Sequence, residues 1–206
     1  MNEFDLKAAS WDENPMHRDR AAAIAEKIQE IIPLNRNMTA LELGAGTGLT
    51  SFILSSRLKE IVMMDSSAEM VRMMNEKLRK SNTDNLSAIL FDLGKEDYRE
   101  RTFDLVFNQM VLHHITDIET IFRRFRDILN VGGYLAIADL YSEDGSFHGK
   151  DVRLHHGFDP YKLSAMLEKL GFDNFSNEKC FTIVKNISET EKKSFDVFLL
   201  TCRRGK

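Results

Sequence analysis

Acidic and amide side chains recur in this chain at the ends of short apolar runs. Glu42 lies in the run 39–43, and Asp65 closes the run 60–65. Asp92 follows residues 86–91, Asn108 and Gln109 follow 103–107, and Asp139 follows 134–138. Within LELGAGTGLTS, residues 41–51, Gly44, Gly46 and Gly48 alternate. Carboxylates accept from hydroxyl and amino groups and compensate positive charge. Glycines let a ligand approach the main chain where a side chain would block it. Carboxyl or amide groups at five successive strand ends describe a built receptor.

A second set of groups can move protons. Five histidines, His113, His114, His148, His155 and His156, fall in two segments: just after the run 103–107, and within 142–158. Histidine titrates near neutrality, so His113 and His156 are the candidate catalytic bases. Helical neighbours diverge by about 100°, so a helix would turn only one of His113 and His114 to the pocket.

The elements that must position these groups read as strands alternating with helices. Residues 17–32 space Ala21, Ile24, Ala25, Ile28, Ile31 and Ile32 as one buried helical face, stopped by Pro33. Residues 39–43, 60–65, 86–91, 103–107 and 134–138 read as buried strands. Leu49, Phe52 and Ile53 have helical spacing. Ser66 to Glu69 and Thr116 to Glu119 read as capping boxes, each opening an amphipathic helix. Met70, Met73, Met74 and Leu78 form the inner stripe of the first of these. Gly132-Gly133 reads as a turn into the fifth strand, and Asp159-Pro160 starts a further helix. Two last strand candidates, 181–184 and 195–202, have no helix between them and predict an antiparallel edge hairpin. The alternation predicts an α/β fold, a doubly wound, mostly parallel sheet with helices on both faces, in one domain over residues 1–206. Residues 142–158 carry no clear period and read as a functional loop.

Composition narrows the function. The formal net charge of −4 argues against a nucleic-acid partner held by a broad basic face. The two cysteines, Cys180 and Cys202, lack CxxC spacing and read as reduced, buried thiols. No apolar run reaches the ~18 residues of a membrane span. The polar start MNEFDLKAAS does not read as a signal peptide. The expectation is a cytoplasmic protein with no membrane partner, as monomer or homodimer.

A dinucleotide fingerprint, G-x-G-x-x-G/A, fails at Leu49, and Glu42 would repel a pyrophosphate. Asp65, at the end of a second strand, suits ribose hydroxyls under either reading. The ordered stretches LELGAGTG, IVMMDSSAEM, FDL (91–93), FDLVFNQMVLHHI and LNVGGYLAIADLY, with the later GFDPYKLSAMLEKLGF, resemble the class I S-adenosylmethionine-dependent methyltransferases, in their small-molecule branch. The resemblance implies a seven-stranded sheet of order 3-2-1-4-5-7-6 with the last strand antiparallel. It implies S-adenosylmethionine as cofactor and S-adenosylhomocysteine as product. It gives Gly44 and Gly46 to the methionine portion and Glu42 to its charge. Asp65 takes the ribose, Met64 and Ser66 flank the adenosine, and Asp92 with the Leu93 N–H takes adenine. Asn108 and Gln109 sit beside the transferable methyl. Met70 could pack under the adenine or in the core. Trp11, on an N-terminal arm (1–16), and Arg18, within the stretch AASWDENPMHRDR (8–20), fold over the cofactor as a lid.

Methyl transfer to a small-molecule acceptor by in-line displacement is the expected activity, with the methylated atom open. Transfer to RNA or protein, or cofactor binding without catalysis, are the alternatives. Some quinone-type relatives carry Glu-x-x-Glu-His after the fourth strand. Here that place reads Met110, Val111, Leu112, His113, His114, so no metal is expected. A zinc site joining His113 or His114 to His155 or His156 is the contrary case.

Overall fold

The computed structural model describes residues 3–148 and 155–206. Residues 1–2 of the expected arm and 149–154 of the expected acceptor-side loop lie outside the described residues. Helices α1 (Glu3–Lys7), α2 (Pro15–Ile31), α3 (Leu49–Leu54), α4 (Ala68–Lys80), α5 (Ile118–Ile128) and α6 (Pro160–Lys169) flank seven strands. These are β1 (Thr39–Leu43), β2 (Glu60–Asp65), β3 (Leu86–Leu90), β4 (Phe103–Gln109), β5 (Leu129–Leu140), β6 (Phe172–Asn186) and β7 (Lys192–Arg204). They form a single sheet in the order β3-β2-β1-β4-β5-β7-β6. Strands β1 to β5 pair in parallel, and β7 runs antiparallel to both β5 and β6.

The register aligns the carboxyl ends that matter. Leu43 lies opposite Met64 on β2 and Asn108 on β4. Side chains alternate across a strand, so β1 sends Leu41 and Leu43 to one face and Ala40 and Glu42 to the other. The first face packs against Phe122 and Phe125 of α5 and Leu163 and Leu167 of α6. The second packs against Ile24, Ala25 and Ile28 of α2. Each fully buried Leu or Phe contributes about 2 kcal/mol. Glu42 sits among these apolar neighbours only because α3 answers it, as described below.

Several local expectations shift. The inner face of α3 is Thr50, Ser51 and Leu54, while Ile53 is exposed. A polar face is buried there because it serves Glu42. Each cap falls one residue later than its capping box predicts. Ser67, not Ser66, accepts from Met70 N, because the main-chain N–H of Ser67 is already held by Asp65. Asp117, not Thr116, caps α5 through both Thr120 N and Thr120 Oγ1. Gly132-Gly133 lies within β5, where the β4–β5 register breaks; Gly132 takes φ +80°. Strands β6 and β7 are far longer than the sequence segments expected. His113 and His114 fall on a single 3-10 turn rather than a helix. Both cysteines are free thiols. No helix among the described residues is long and apolar enough to cross a membrane.

Candidate cofactor cleft and acceptor site

The loop after β1 is held from below. The Gly46 N–H donates to Asp65 Oδ2 (2.8 Å), and the Ser67 N–H donates to Asp65 Oδ1 (2.8 Å). Burial raises the Asp65 pKa above the usual carboxylate range, and these main-chain donors oppose the rise. Each oxygen keeps a lone pair for a ligand hydroxyl. The Ala45 N–H donates to the Met64 carbonyl (3.0 Å), which fixes the loop against β2.

The three glycines do different work. All have positive φ, at +62°, +59° and +81°. A Cβ on Gly44 would meet Val111 Cγ2 at 2.3 Å, and one on Gly48 would meet Met63 Sδ at 2.7 Å. Those two are bare because protein packs against them. A Cβ on Gly46 would meet only Trp11 Nε1, at 3.9 Å. Gly46 is therefore the glycine that opens onto the cleft, and Trp11 stands over it.

Glu42 is fully buried. Its Oε2 accepts from Ser51 N (3.2 Å) and Ser51 Oγ (2.5 Å), while Oε1 has no partner among the described residues. Burial pushes its pKa up to about 8, against the Ser51 hydrogen bonds. A buried carboxylate with one unanswered oxygen is costly unless a donor or cation arrives. Nearby, both amide atoms of buried Asn108 lack partners, as does Gln109 Oε1, while Gln109 Nε2 donates to Thr50 Oγ1. The unanswered polar atoms thus gather at the carboxyl ends of β1 and β4, where open α/β sheets bind ligands.

The N-terminal segment closes over this cleft. Thr47 Oγ1 donates to Asp12 Oδ1, and Lys77 pairs with Asp12 while donating to the Thr47 carbonyl (2.7 Å). Ser67 Oγ donates to Asp5 Oδ1 (2.6 Å). Trp11 stacks on His17 with centroids 4.1 Å apart. Arg18 is exposed and donates to the Asp12 carbonyl, so it braces the segment from outside. Sequence reasoning missed Asp5, Asp12, Thr47, Ser51, Ser67 and Lys77. Only their nearness to Trp11, the glycine loop and Asp65 could have flagged them.

Other expected residues divide. Asp92 accepts from the Gly94 N–H (3.0 Å) and pairs with Lys95 (2.8 Å) just past β3. Ser66 is exposed at the end of β2. The side chains of Met64, Leu93 and Met70 are buried in the protein interior, so Met64 and Leu93 offer the cleft main chain only.

On the acceptor side, His113 Nδ1 donates to Asp139 Oδ1 (2.6 Å), and both residues are buried. The rings of His113 and His114 lie 4.1 Å apart, and His148 packs 5.0 Å from His113. The two rings therefore lie side by side rather than on divergent faces. His156 is exposed beside Gly145 and stands outside this cluster. His155 donates its main-chain N–H to the His113 carbonyl (3.1 Å) and packs its ring on Phe158. Arg20, from α2, is buried, with no carboxylate partner among the described residues; its Nε is unanswered there and its Nη1 reaches Met16 Sδ (3.8 Å). Burial lowers its pKa to about 10, with Asp139 pulling the other way.

Comparison with known proteins decides the family. Residues 34–153, more than half of the chain, match the model of a methyltransferase domain. The chain belongs to the class I S-adenosylmethionine-dependent methyltransferases. An uncharacterized methyltransferase of Schizosaccharomyces pombe is 31% identical over 66% of this chain and 54% of its own length. A trans-aconitate 2-methyltransferase of Deinococcus radiodurans is 27% identical over 68% of this chain and 53% of its own. The chain spans about half the length of the curated relatives it matches. The N-methyltransferase NodS of Bradyrhizobium japonicum, solved with S-adenosylhomocysteine, superposes with a TM-score of 0.70 at 16% identity, over 95% of this chain and 90% of its own. That last likeness is one of fold.

The cleft fits the donor of this family. S-adenosylmethionine carries an ammonium, a sulfonium and ribose hydroxyls, and no phosphate. Glu42 Oε1 offers a buried carboxyl oxygen, Asp65 offers lone pairs, and Gly46 offers bare main chain.

Proposed function

We propose that this chain transfers the methyl group of S-adenosylmethionine to a small-molecule acceptor. The observation that carries the proposal is the gathering of unanswered buried polar atoms on Glu42, Asn108 and Gln109 beside Gly46. The bound donor supplies an electrophilic methyl on a positively charged sulfur. Glu42 holds the ammonium end and Asp65 the ribose hydroxyls. Asp92 and the Leu93 N–H hold the adenine. Asn108 and Gln109 line the methyl, with Gln109 anchored on Thr50. Trp11, carried by the closed N-terminal segment, excludes water above Gly46. Alignment of this kind supplies several kcal/mol of the barrier reduction.

An acceptor that must lose a proton meets His113. Asp139 fixes its Nδ1 proton, which leaves Nε2 as the atom that can receive one. His156 is set too far toward solvent for that role. Arg20 supports an acceptor that bears an acid group, since a buried guanidinium that meets no carboxylate among the described residues is otherwise unfavourable. The trans-aconitate relative supports the same class.

The test is transfer from methyl-labelled S-adenosylmethionine to a panel of small carboxylic acids, phenols and amines. Label in a small product, with S-adenosylhomocysteine formed in equal amount, is expected. Label entering only RNA or protein would overturn the small-molecule reading.

A further inference from the structure

Among the described residues, three imidazoles converge as no other metal-ligating side chains do. The candidate ligand atoms of His113, His114 and His148 all lie within 4.8 Å of one another. Two come from the 3-10 turn after β4, and the third from the turn at 146–148, which follows β5. The sequence led to no metal being expected, and the contrary case joined His113 or His114 to His155 or His156. His155 is turned onto Phe158, and His156 lies at the surface beside Gly145.

We propose that His113, His114 and His148 bind one borderline divalent cation, of the Zn²⁺ or Co²⁺ class. The choice of ion follows from the donors. Neutral imidazole suits zinc, cobalt and nickel, whereas magnesium and calcium demand oxygen ligands. The second shell is in place. Asp139 accepts the Nδ1 proton of His113 at 2.6 Å, which fixes the tautomer and leaves Nε2 for the ion. A carboxylate behind a ligating imidazole is the usual way its ring is oriented and its basicity raised. Asp139 is itself held, accepting from the main-chain N–H of Leu140 (2.7 Å).

The surroundings are apolar. Phe4 meets His114 edge-on at 5.1 Å, and Phe147 meets His148 at 4.8 Å. Tetrahedral zinc at its ordinary bond length holds its nitrogens roughly 3.3 Å apart. The three imidazoles must therefore draw together on binding, and His148, on a turn rather than a strand, has the shortest path to do so.

Three protein ligands leave one position open. That position would take water or a heteroatom of the acceptor, next to the segment that carries Phe4 and Trp11. With the ion bound, His113 is a ligand, which replaces the base role proposed above. The acceptor's proton then leaves from a cation-bound heteroatom made more acidic. Donor binding and methyl transfer do not depend on the ion, and the ion does not depend on them.

The experiment is a Co²⁺ titration of the full chain, first stripped with a chelator, followed by visible ligand-field absorption. One equivalent should produce the bands of a four-coordinate nitrogen site, and Zn²⁺ should abolish them. His148→Ala should weaken Co²⁺ binding at least tenfold while its thermal melt stays cooperative. His114→Ala should do the same. Absence of the bands in the wild-type chain, or equal Co²⁺ binding by wild type and both variants, overturns the proposal. Calorimetry with S-adenosylhomocysteine on the same samples separates this outcome from failure of the methyltransferase reading.

Discussion

Glu42→Gln removes the buried carboxyl proposed to hold the donor's ammonium. The wild-type carboxyl has its pKa raised by burial from 4.5 to about 8. The folded state therefore holds the proton more tightly than the unfolded state. Its contribution to stability is fully present below about pH 4.5, declines as pH rises, and is gone above about pH 8. The slope is about −1.4 kcal/mol per pH unit, so the carboxylate costs the ligand-free protein roughly 3 kcal/mol at pH 7. The amide has no such dependence. Its loss of the charge-assisted Ser51 bonds, about 1 kcal/mol, is nearly constant with pH. The stability difference, variant minus wild type, should grow by roughly 3 kcal/mol between pH 5 and pH 8. For a chain of this size that is on the order of 6–12 °C in Tm. Denaturant unfolding at several pH values reads it directly. With S-adenosylhomocysteine the sign inverts, because its ammonium needs the ionised form. Wild-type affinity should climb up to about tenfold per pH unit from 6 toward 8, with proton release in calorimetry. Glu42→Gln should bind more weakly and without that climb. A stability difference flat from pH 5 to pH 8 would refute the reasoning, because Glu42 would then be solvated.

Further outcomes follow from the same geometry. Gly44→Ala should lower stability by about 3 kcal/mol or more, since Val111 blocks the new Cβ. Gly46→Ala should lose only about 1–2 kcal/mol from its positive φ, yet lose more affinity for S-adenosylhomocysteine. A calorimetric ranking in the opposite order would mean that Gly46 does not face the ligand. Trp11→Ala should weaken cofactor binding about tenfold, with a Tm change of about 2 °C or less; unchanged affinity removes Trp11 from the site. Arg20→Met should melt no lower than wild type, since a buried guanidinium that no carboxylate among the described residues pairs with gives way to a side chain that packs. A loss of more than about 2 kcal/mol in Arg20→Met would show a partner that the geometry does not contain.

The sheet was legible because its strands are short apolar runs, each closed by a polar residue. Buried parallel strands read that way wherever they occur. The lengths of β5, β6 and β7 were not legible. Pairing at the antiparallel edge extends them through polar residues such as Asn177 and Lys185, which carry no hydrophobic signal. In the cleft, Glu42, Gly46, Asp65 and Asn108 were readable from their places at strand ends. The role of Ser51 was not, because a serine on a short helix gives no sign that it answers a buried carboxylate. Gly44 showed the reverse limit. Its bareness serves Val111, a contact across 67 residues that spacing cannot reveal. The joining of His148 to His113 and His114 depends in the same way on how the chain after β5 returns to the turn after β4.

The central claim is that this cleft is built for S-adenosylmethionine. Its most direct test is calorimetric titration of the wild-type chain and Asp65→Ala with S-adenosylmethionine, S-adenosylhomocysteine and NADH. The account predicts 1:1 binding of the first two by the wild type, lost or greatly weakened in Asp65→Ala, and no heat from NADH. Binding of NADH alone, or equal binding of S-adenosylhomocysteine by both proteins, would contradict it.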